Sequence, residues 1–483
     1  MKTKSVFVIF IYISFQIVLS PTITKAKDFY IYPVNGSMSN DGSQSAPWST
    51  LQGVLDACKV RAGAYKTPWA TTVPETILNK CPTGAVTAGD TIYLMSGNQG
   101  KVTLNGFLNE DYITVKAYPG QTPTISHLWV TGSSYWRFEG IQFSPSFSPP
   151  LVVYPNGIIE IENHSNLGPN NHIMIFNSEI YSVTDSNQWK TLEDWWVNAS
   201  RAIVTRSQHT IIENNRIKNT SGCVGTISAH NTIIRGNTCD MLSGDMIGVG
   251  GTNDLLIEGN TLTNMVPAGE PHGLHPDMVQ FSANSELDPE LRVTFRRNYV
   301  NSLKDYGIHP LVGGNAQGVS GFDGFYEDFV IENNIVAVNS PHGISLYGAR
   351  NCRIVNNTVV SAASGLPYDF GTIRTYNHKS GAVSSGNLIR NNITNQIDIS
   401  AGTTIVDHNL LNVVKSEHFI TPENLDFRLK STSSAINAGQ PTLSPVDDYT
   451  GELRDPYPDL GAYEYKPEKT ATIPPPQNFY MNR

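Results

Sequence analysis

Along this chain, short stretches alternate β-branched or apolar residues with polar ones, and each closes on an asparagine. "TIIENNRI" (210–217), "TIIRGNTC" (232–239) and "LLIEGNTL" (255–262) align without gaps. So do "VTFRRNYV" (293–300), "FVIENNIV" (329–336), "CRIVNNTV" (352–359) and "NLIRNNIT" (387–394). Asn215, Asn237, Asn260, Asn298, Asn334, Asn357 and Asn392 share one column, which Asn409 continues and which Ser178 and Ile141 occupy earlier. Alternation with period two marks strands half-buried on one face. A repeat of 22 or 23 residues where the spacing is bare, and of 35 to 38 where segments are inserted, marks one coil of a solenoid. A leucine-dominated repeat pattern is absent. The pattern therefore predicts a parallel β-helix of about ten or more coils that share one core. Asparagine tolerates the left-handed backbone of a tight corner, and stacked amides bond along the column.

The column also serves as a ruler. Thirteen residues before it stand Val224, Ile247 and Ile344, read as inward; the motifs "DMVQF", "YGIHP" and "GTIRT" place Val279, Ile308 and Ile373 with them. One residue further on, the side chains point outward: Gly225, Gly248, Gln280, His309, Ser345 and Arg374. Two residues before the inward position runs a corner column of Gly222, Asp245, Asp277, Tyr306, His342 and Gly371. The predicted result is a polar patch on one face, bordered by insertions that carry Trp195, His272, His275, Lys304, Tyr347 and Tyr376. "LQGVLDACKV" (51–60) has helical apolar spacing and is expected to cap the first coil.

The chain start reads as an export signal: Lys2 and Lys4 precede an apolar run to Ser20, and Thr24-Lys25-Ala26 offers small residues at a cleavage site. The expected divisions are a signal over 1–26, an N-terminal strand, cap and first coils over 27–125, the β-helix over 126–415, a closing segment over 416–467 and a tail over 468–483. Loss of Lys2, Lys4 and Lys25 takes the net charge from −9 to −12. That balance argues against nucleic acid as a partner, since such binding needs a basic footprint. No later segment is long and apolar enough to insert in a membrane. A secreted, extracellular or periplasmic monomer is expected. Among five cysteines, Cys58 and Cys81 are the expected disulfide, Cys223 and Cys239 a weaker candidate pair, and Cys352 a buried thiol.

"FYIYPVNGSMSNDGSQSAPWSTLQ" (29–52) resembles the opening of secreted right-handed parallel β-helix proteins that act on carbohydrates. "DFRLKSTSSAINAG" and "DYTGELRDPYPDLGAYEY" (426–465) resemble their closing segment. The resemblance, which spans nearly the whole mature chain, implies polysaccharide lyases of the pectate, alginate or chondroitin type. Its implied reaction is β-elimination at a uronic acid. A Lys or Arg base is usual in such lyases, with calcium held by aspartates or a Lys–Arg pair without it, and Tyr and His serve in epimerases of this shape. Lys304, Tyr306, His309 and Arg374 are accordingly the expected catalytic groups. Gln280, His275, His342, Tyr347, Tyr376 and Trp195 are expected to bind an acidic polysaccharide. Asp245 and Asp277 are the expected ligands of an optional calcium ion. A glycoside hydrolase using Asp245 and Asp277, a uronate epimerase and a non-catalytic glycan-binding adhesin stand as alternatives. The paired-aspartate signature of polygalacturonase-type hydrolases and the "DPHD" motif of mannuronan epimerases are both missing.

Overall fold

A computed structural model describes residues 26–71, 76–163, 166–266, 276–283, 285–303, 309, 311–312, 316–362, 371–400 and 402–467. Three long sheets of parallel strands run side by side along the chain, so that every coil contributes one strand to each. Ile203, Val224, Ile247, Val279, Val319, Ile344 and Ile373 stack in register as one wall of the core, all at most 1 % exposed. Ile212, Ile234, Ile257, Phe295, Ile331, Ile354 and Ile389 stack as another. A coil of this kind has no core of its own, and burial is shared between neighbours.

The sheet that carries the polar face has eleven strands among the described residues. They are β1 (Lys101–Asn105), β2 (His127–Thr131), β3 (Ile159–Glu162), β4 (Arg201–Thr205), β5 (Gly222–Ile227) and β6 (Ile247–Gly250), followed by β7 (Asp277–Ser282), β8 (Gln317–Gly321), β9 (Ile344–Tyr347), β10 (Thr372–Tyr376) and β11 (Gln396–Ile399). The connections entering β3, β4, β7, β8 and β10 are the long ones, and all reach this sheet at its leading edge. A second bank of insertions follows β7, β8 and β10. The face of the sheet between the connections that enter its strands and those that leave them is called the trough below.

The asparagine column is a hydrogen-bonded ladder. Each amide from Asn215 to Asn392 donates to the side-chain oxygen of the next, at 2.9–3.1 Å, and that oxygen also accepts the preceding asparagine's backbone N–H. The left-handed residue is the one before the ladder asparagine: Asn214, Gly236, Gly259, Arg297, Asn333, Asn356, Asn391 and His408 all have φ between 50° and 64°. The ladder residue itself spends its amide on the core side, which differs from the corner role the sequence pattern suggested.

Helix α1 (Leu51–Asp56) is capped by Thr50, whose hydroxyl accepts from Gly53 N, and it buries Leu51, Val54 and Leu55 over the first coils. Cys58–Cys81 and Cys223–Cys239 are both disulfides, while Cys352 is a buried free thiol. No helix among the described residues is long and apolar enough to cross a membrane. Residues 1–25 and 468–483 lie outside the described residues.

Candidate functional site

Strand register fixes the outward column as Val204, Gly225, Gly248, Gln280, Ser320, Ser345, Arg374 and Asp398. Gly225, Gly248, Gln280, Ser345 and Arg374 stand where the asparagine ruler puts them. His309 does not. The coil after Val279 takes its inward residue from Val319, so "YGIHP" belongs to the insertion before β8. The imidazole of His309 is buried there, its ring edge-on to Trp195 at 5.8 Å. Burial holds it below the usual histidine range. Trp195, on helix α2 (Leu192–Asn198), is wholly buried with Trp189, Val266, Leu303 and Val312. It anchors the insertions to one another and presents no ring to the trough. Lys304, Tyr306 and His275, with His272, lie outside the described residues.

The corner column runs Asp245, Asp277, Gln317 and His342, since Asp277 and Gln317 are register partners. The Asp277 backbone N–H donates to Asp245 Oδ1 at 2.9 Å, and Gln280 Nε2 donates to Asp277 Oδ2 at 3.2 Å. Burial, helped by the nearby Asp245 charge, pushes Asp277 up to about 8. At neutral pH it is mostly a carboxylic acid. Calcium asks for six to eight oxygens. Among the described residues, no group of three or more His, Cys, Asp or Glu side chains converges to hold a metal. Asp245 and Asp277, on successive coils, are the carboxylates here that would contribute oxygens to a calcium ion.

Three coils further on, a cation and an imidazole are fixed together. Arg374 Nη1 lies 3.0 Å from His342 Nδ1 and 3.4 Å from Nε2, while its Nε donates to Asp398 Oδ2 at 3.1 Å. Ser345 Oγ is 3.2 Å from His342 Nδ1. A nitrogen that near to both ring nitrogens lies over the face of the imidazole, so the guanidinium is stacked on the ring and neither ring lone pair points at Nη1. Phe322 packs edge-on against both His342 (5.0 Å) and Tyr347 (4.9 Å), and Tyr376 lies 5.3 Å beyond Tyr347. Burial raises the Tyr347 phenol, with the Arg374 charge pulling the other way. Lys379, paired with Asp323, closes an open cleft of about 260 Å³ lined by Gln317, Phe322, His342 and Tyr347.

The structure thus brings together His342, Tyr347, Tyr376 and Arg374, and separately Asp245, Asp277 and Gln280. Gln317, Ser320, Phe322 and Asp398 were missed by the sequence reading. Alternation in "NQIDIS" (395–400) was the available signal for Asp398. For Ser320, "GVSGF" (318–322) has one apolar residue flanked by glycines, too weak to displace "YGIHP".

Residues 126–321 match the family model described as right handed beta helix region. No curated protein matches the sequence. Among solved structures, the chain is similar to a pectate lyase at 14 % identity, with 92 % of this chain and 98 % of that chain covered and a TM-score of 0.47. It is also similar to a lacto-N-biosidase from Eubacterium ramulus (12 % identity, 80 % and 68 % covered, TM-score 0.43). A polysaccharide lyase of family PL6 from Pseudopedobacter saltans is a third (13 %, 72 % and 94 %, TM-score 0.42). The right-handed parallel β-helix, the architecture that the terminal motifs resemble, rests on the strand order and on the family match, and not on these likenesses. Fold leaves the chemistry to be argued from the site.

Proposed function

We propose that this protein is a polysaccharide lyase that cleaves a uronic-acid-containing polymer by β-elimination in the trough over β7–β11. The observation that carries the reading is the fixed contact between Arg374 and His342, whose imidazole lines the open cleft. Elimination needs the uronate carboxylate neutralised, the C5 proton removed and the leaving O4 protonated. The Arg374 guanidinium, stacked on the His342 ring, pairs with the substrate carboxylate and holds the sugar beside the imidazole. His342 then receives the C5 proton as the C4–C5 double bond forms, the C4–O4 bond breaks, and O4 takes the proton of the Tyr347 phenol. Asp398 keeps the guanidinium oriented through its second N–H.

A second reading, glycoside hydrolysis, is favoured by Asp277, whose carboxyl is pushed up to about 8 by burial and the neighbouring Asp245. Incubation with polygalacturonate, alginate and chondroitin sulfate separates the two. Ultraviolet absorbance of the new conjugated double bond, rising with reducing ends, supports elimination. Reducing ends without that absorbance move the assignment to the aspartate pair. Folded protein that yields neither product on all three polymers refutes both.

A further inference from the structure

The face of the sheet does not end at the cleft. On β1–β3 its outward column continues as Thr103, Trp129 and Glu160, in register across three coils. Trp129 is half-buried, so part of its indole meets solvent. His127, two residues earlier on the same side of β2, is roofed by the Tyr154 ring, stacked at 4.1 Å and 13°. The Glu160 carboxylate stands 3.6 Å from His127 Nε2. Beside Thr103 opens a pocket of about 360 Å³ between α1 and β1, lined by Gln52, Asp56, Lys80, Asn105 and Phe107 among others. The Lys80 ammonium lies 4.0 Å from the centre of the Phe107 ring and donates to the Asn105 carbonyl. Lys80 is chained to the fold by its neighbour Cys81, half of the disulfide to Cys58.

We infer that this end of the face is a non-catalytic anchoring site for the same acidic polysaccharide, an inference that rests on the polysaccharide reading above. Each component matches a part of a uronate-bearing chain. The Lys80 ammonium meets a carboxylate. The solvent-facing part of the Trp129 indole packs on the C–H face of a sugar ring, and the Glu160 and Asp56 carboxylates accept from hydroxyls. Tyr154 over His127 extends the aromatic surface across the coil. None of these groups approaches the cleft. Nine strand spacings separate Thr103 from Arg374, about 43 Å at roughly 4.8 Å each. A polymer spans that distance along the trough and a short oligosaccharide does not. Because the solenoid is rigid, two sites on one polymer raise the local concentration of sugar at the cleft, and affinity rises with chain length.

The test is equilibrium binding of polygalacturonate, alginate and chondroitin sulfate, each as long polymer and as short oligosaccharide, to the full chain and to Trp129→Ala and Lys80→Met. Lys80→Met keeps an unbranched apolar stem over Phe107 and removes the charge, so it reports even where Trp129→Ala folds poorly. For at least one of the three, the long polymer is expected to bind the wild type about tenfold more tightly than the oligosaccharide does, and each variant to lose most of that advantage. Polymer binding that neither variant weakens, or wild-type protein that binds none of the three, overturns the inference. Polymer binding weakened by both variants, in a protein that cleaves nothing, upholds the anchoring site and removes the catalytic reading.

Discussion

At the scale of single residues, the proposed chemistry depends on a few contacts that substitution can break one at a time. Arg374→Ala should lower kcat/KM on the responsive polymer by about 10²- to 10³-fold, the usual cost of removing one charge-stabilising donor. Arg374→Lys should not restore it, because an ammonium lacks the planar fork that bonds Asp398 and meets a carboxylate at once. His342→Ala should cost about 10²- to 10⁴-fold with the fold intact by circular dichroism. Asp277 makes a different prediction, about stability. Its native pKa, about 8, lies above the unfolded value near 3.8. Between those values the native state holds a proton that the unfolded state has released, so stability falls as pH rises from about 4 to 8. Glu290, buried and also pushed up to about 8, adds to the same slope. Asp277→Asn should flatten part of it and raise stability at pH 8 by about 2–4 kcal/mol, less than the full shift because the site relaxes. Denaturant unfolding at pH 5 and pH 8 reads this directly, and an equal change at both pH values would contradict it. Much of this chemistry was visible beforehand: alternation put Gln280 and Arg374 outside, and the corner column put Asp245, Asp277 and His342 beside them. His309 went astray because "GIHP" copies the apolar–polar step of a strand, and no local rule tells a strand from a loop of that length.

At the scale of the element, the ladder asparagine and the left-handed residue before it are separate devices set side by side. The first satisfies buried backbone groups, and the second turns the chain. Asn298 shows how much rests on one rung. Its Oδ1 accepts from both Asn260 N and Asn260 Nδ2, and its Nδ2 donates to Ile257 O and Asn334 Oδ1. Asn298→Ala should leave these buried groups unsatisfied and cost about 2–4 kcal/mol, read by thermal or denaturant unfolding. Asn409→Ala, at the open end of the ladder, should cost less. The repeat was legible because an asparagine recurs at one place in each coil from Asn215 to Asn409, whatever is inserted elsewhere. What the insertions do was not. Trp195 and His309 lie more than 100 residues apart, and their burial against each other depends on two loops meeting across several coils. Aromatic and basic residues on loops satisfy a binding site and a small loop core equally well, so composition could not choose between them.

At the scale of the whole molecule, the closing segment bridges coils far apart in sequence through the left-handed column. Asn333 Nδ2 donates to the Asp447 carbonyl at 2.8 Å, Asn356 Nδ2 to that of Asp459 at 2.9 Å, and Asn391 Nδ2 to that of Gln440 at 2.9 Å. Arg454, almost wholly buried, binds Glu464 at 3.0 Å and Asn333 Oδ1 at 2.8 Å, and Phe419, Phe427 and Leu460 pack against Tyr299, Ile335 and Val360. The three asparagines therefore do two jobs, which glycine separates. Glycine accepts φ near +55° without strain and has no amide to offer. The triple variant Asn333→Gly, Asn356→Gly, Asn391→Gly should keep the parallel β signal and all corner geometry while its closing segment comes loose. Limited proteolysis should then cut between residues 440 and 461 several-fold faster than in the wild type. Arg454→Met should act on the same segment more strongly, because it leaves Glu464 buried without its cation at a cost of about 3–5 kcal/mol. If the glycine variant resists the protease as the wild type does, the side-chain lacing contributes nothing and the apolar contacts alone hold the segment in place.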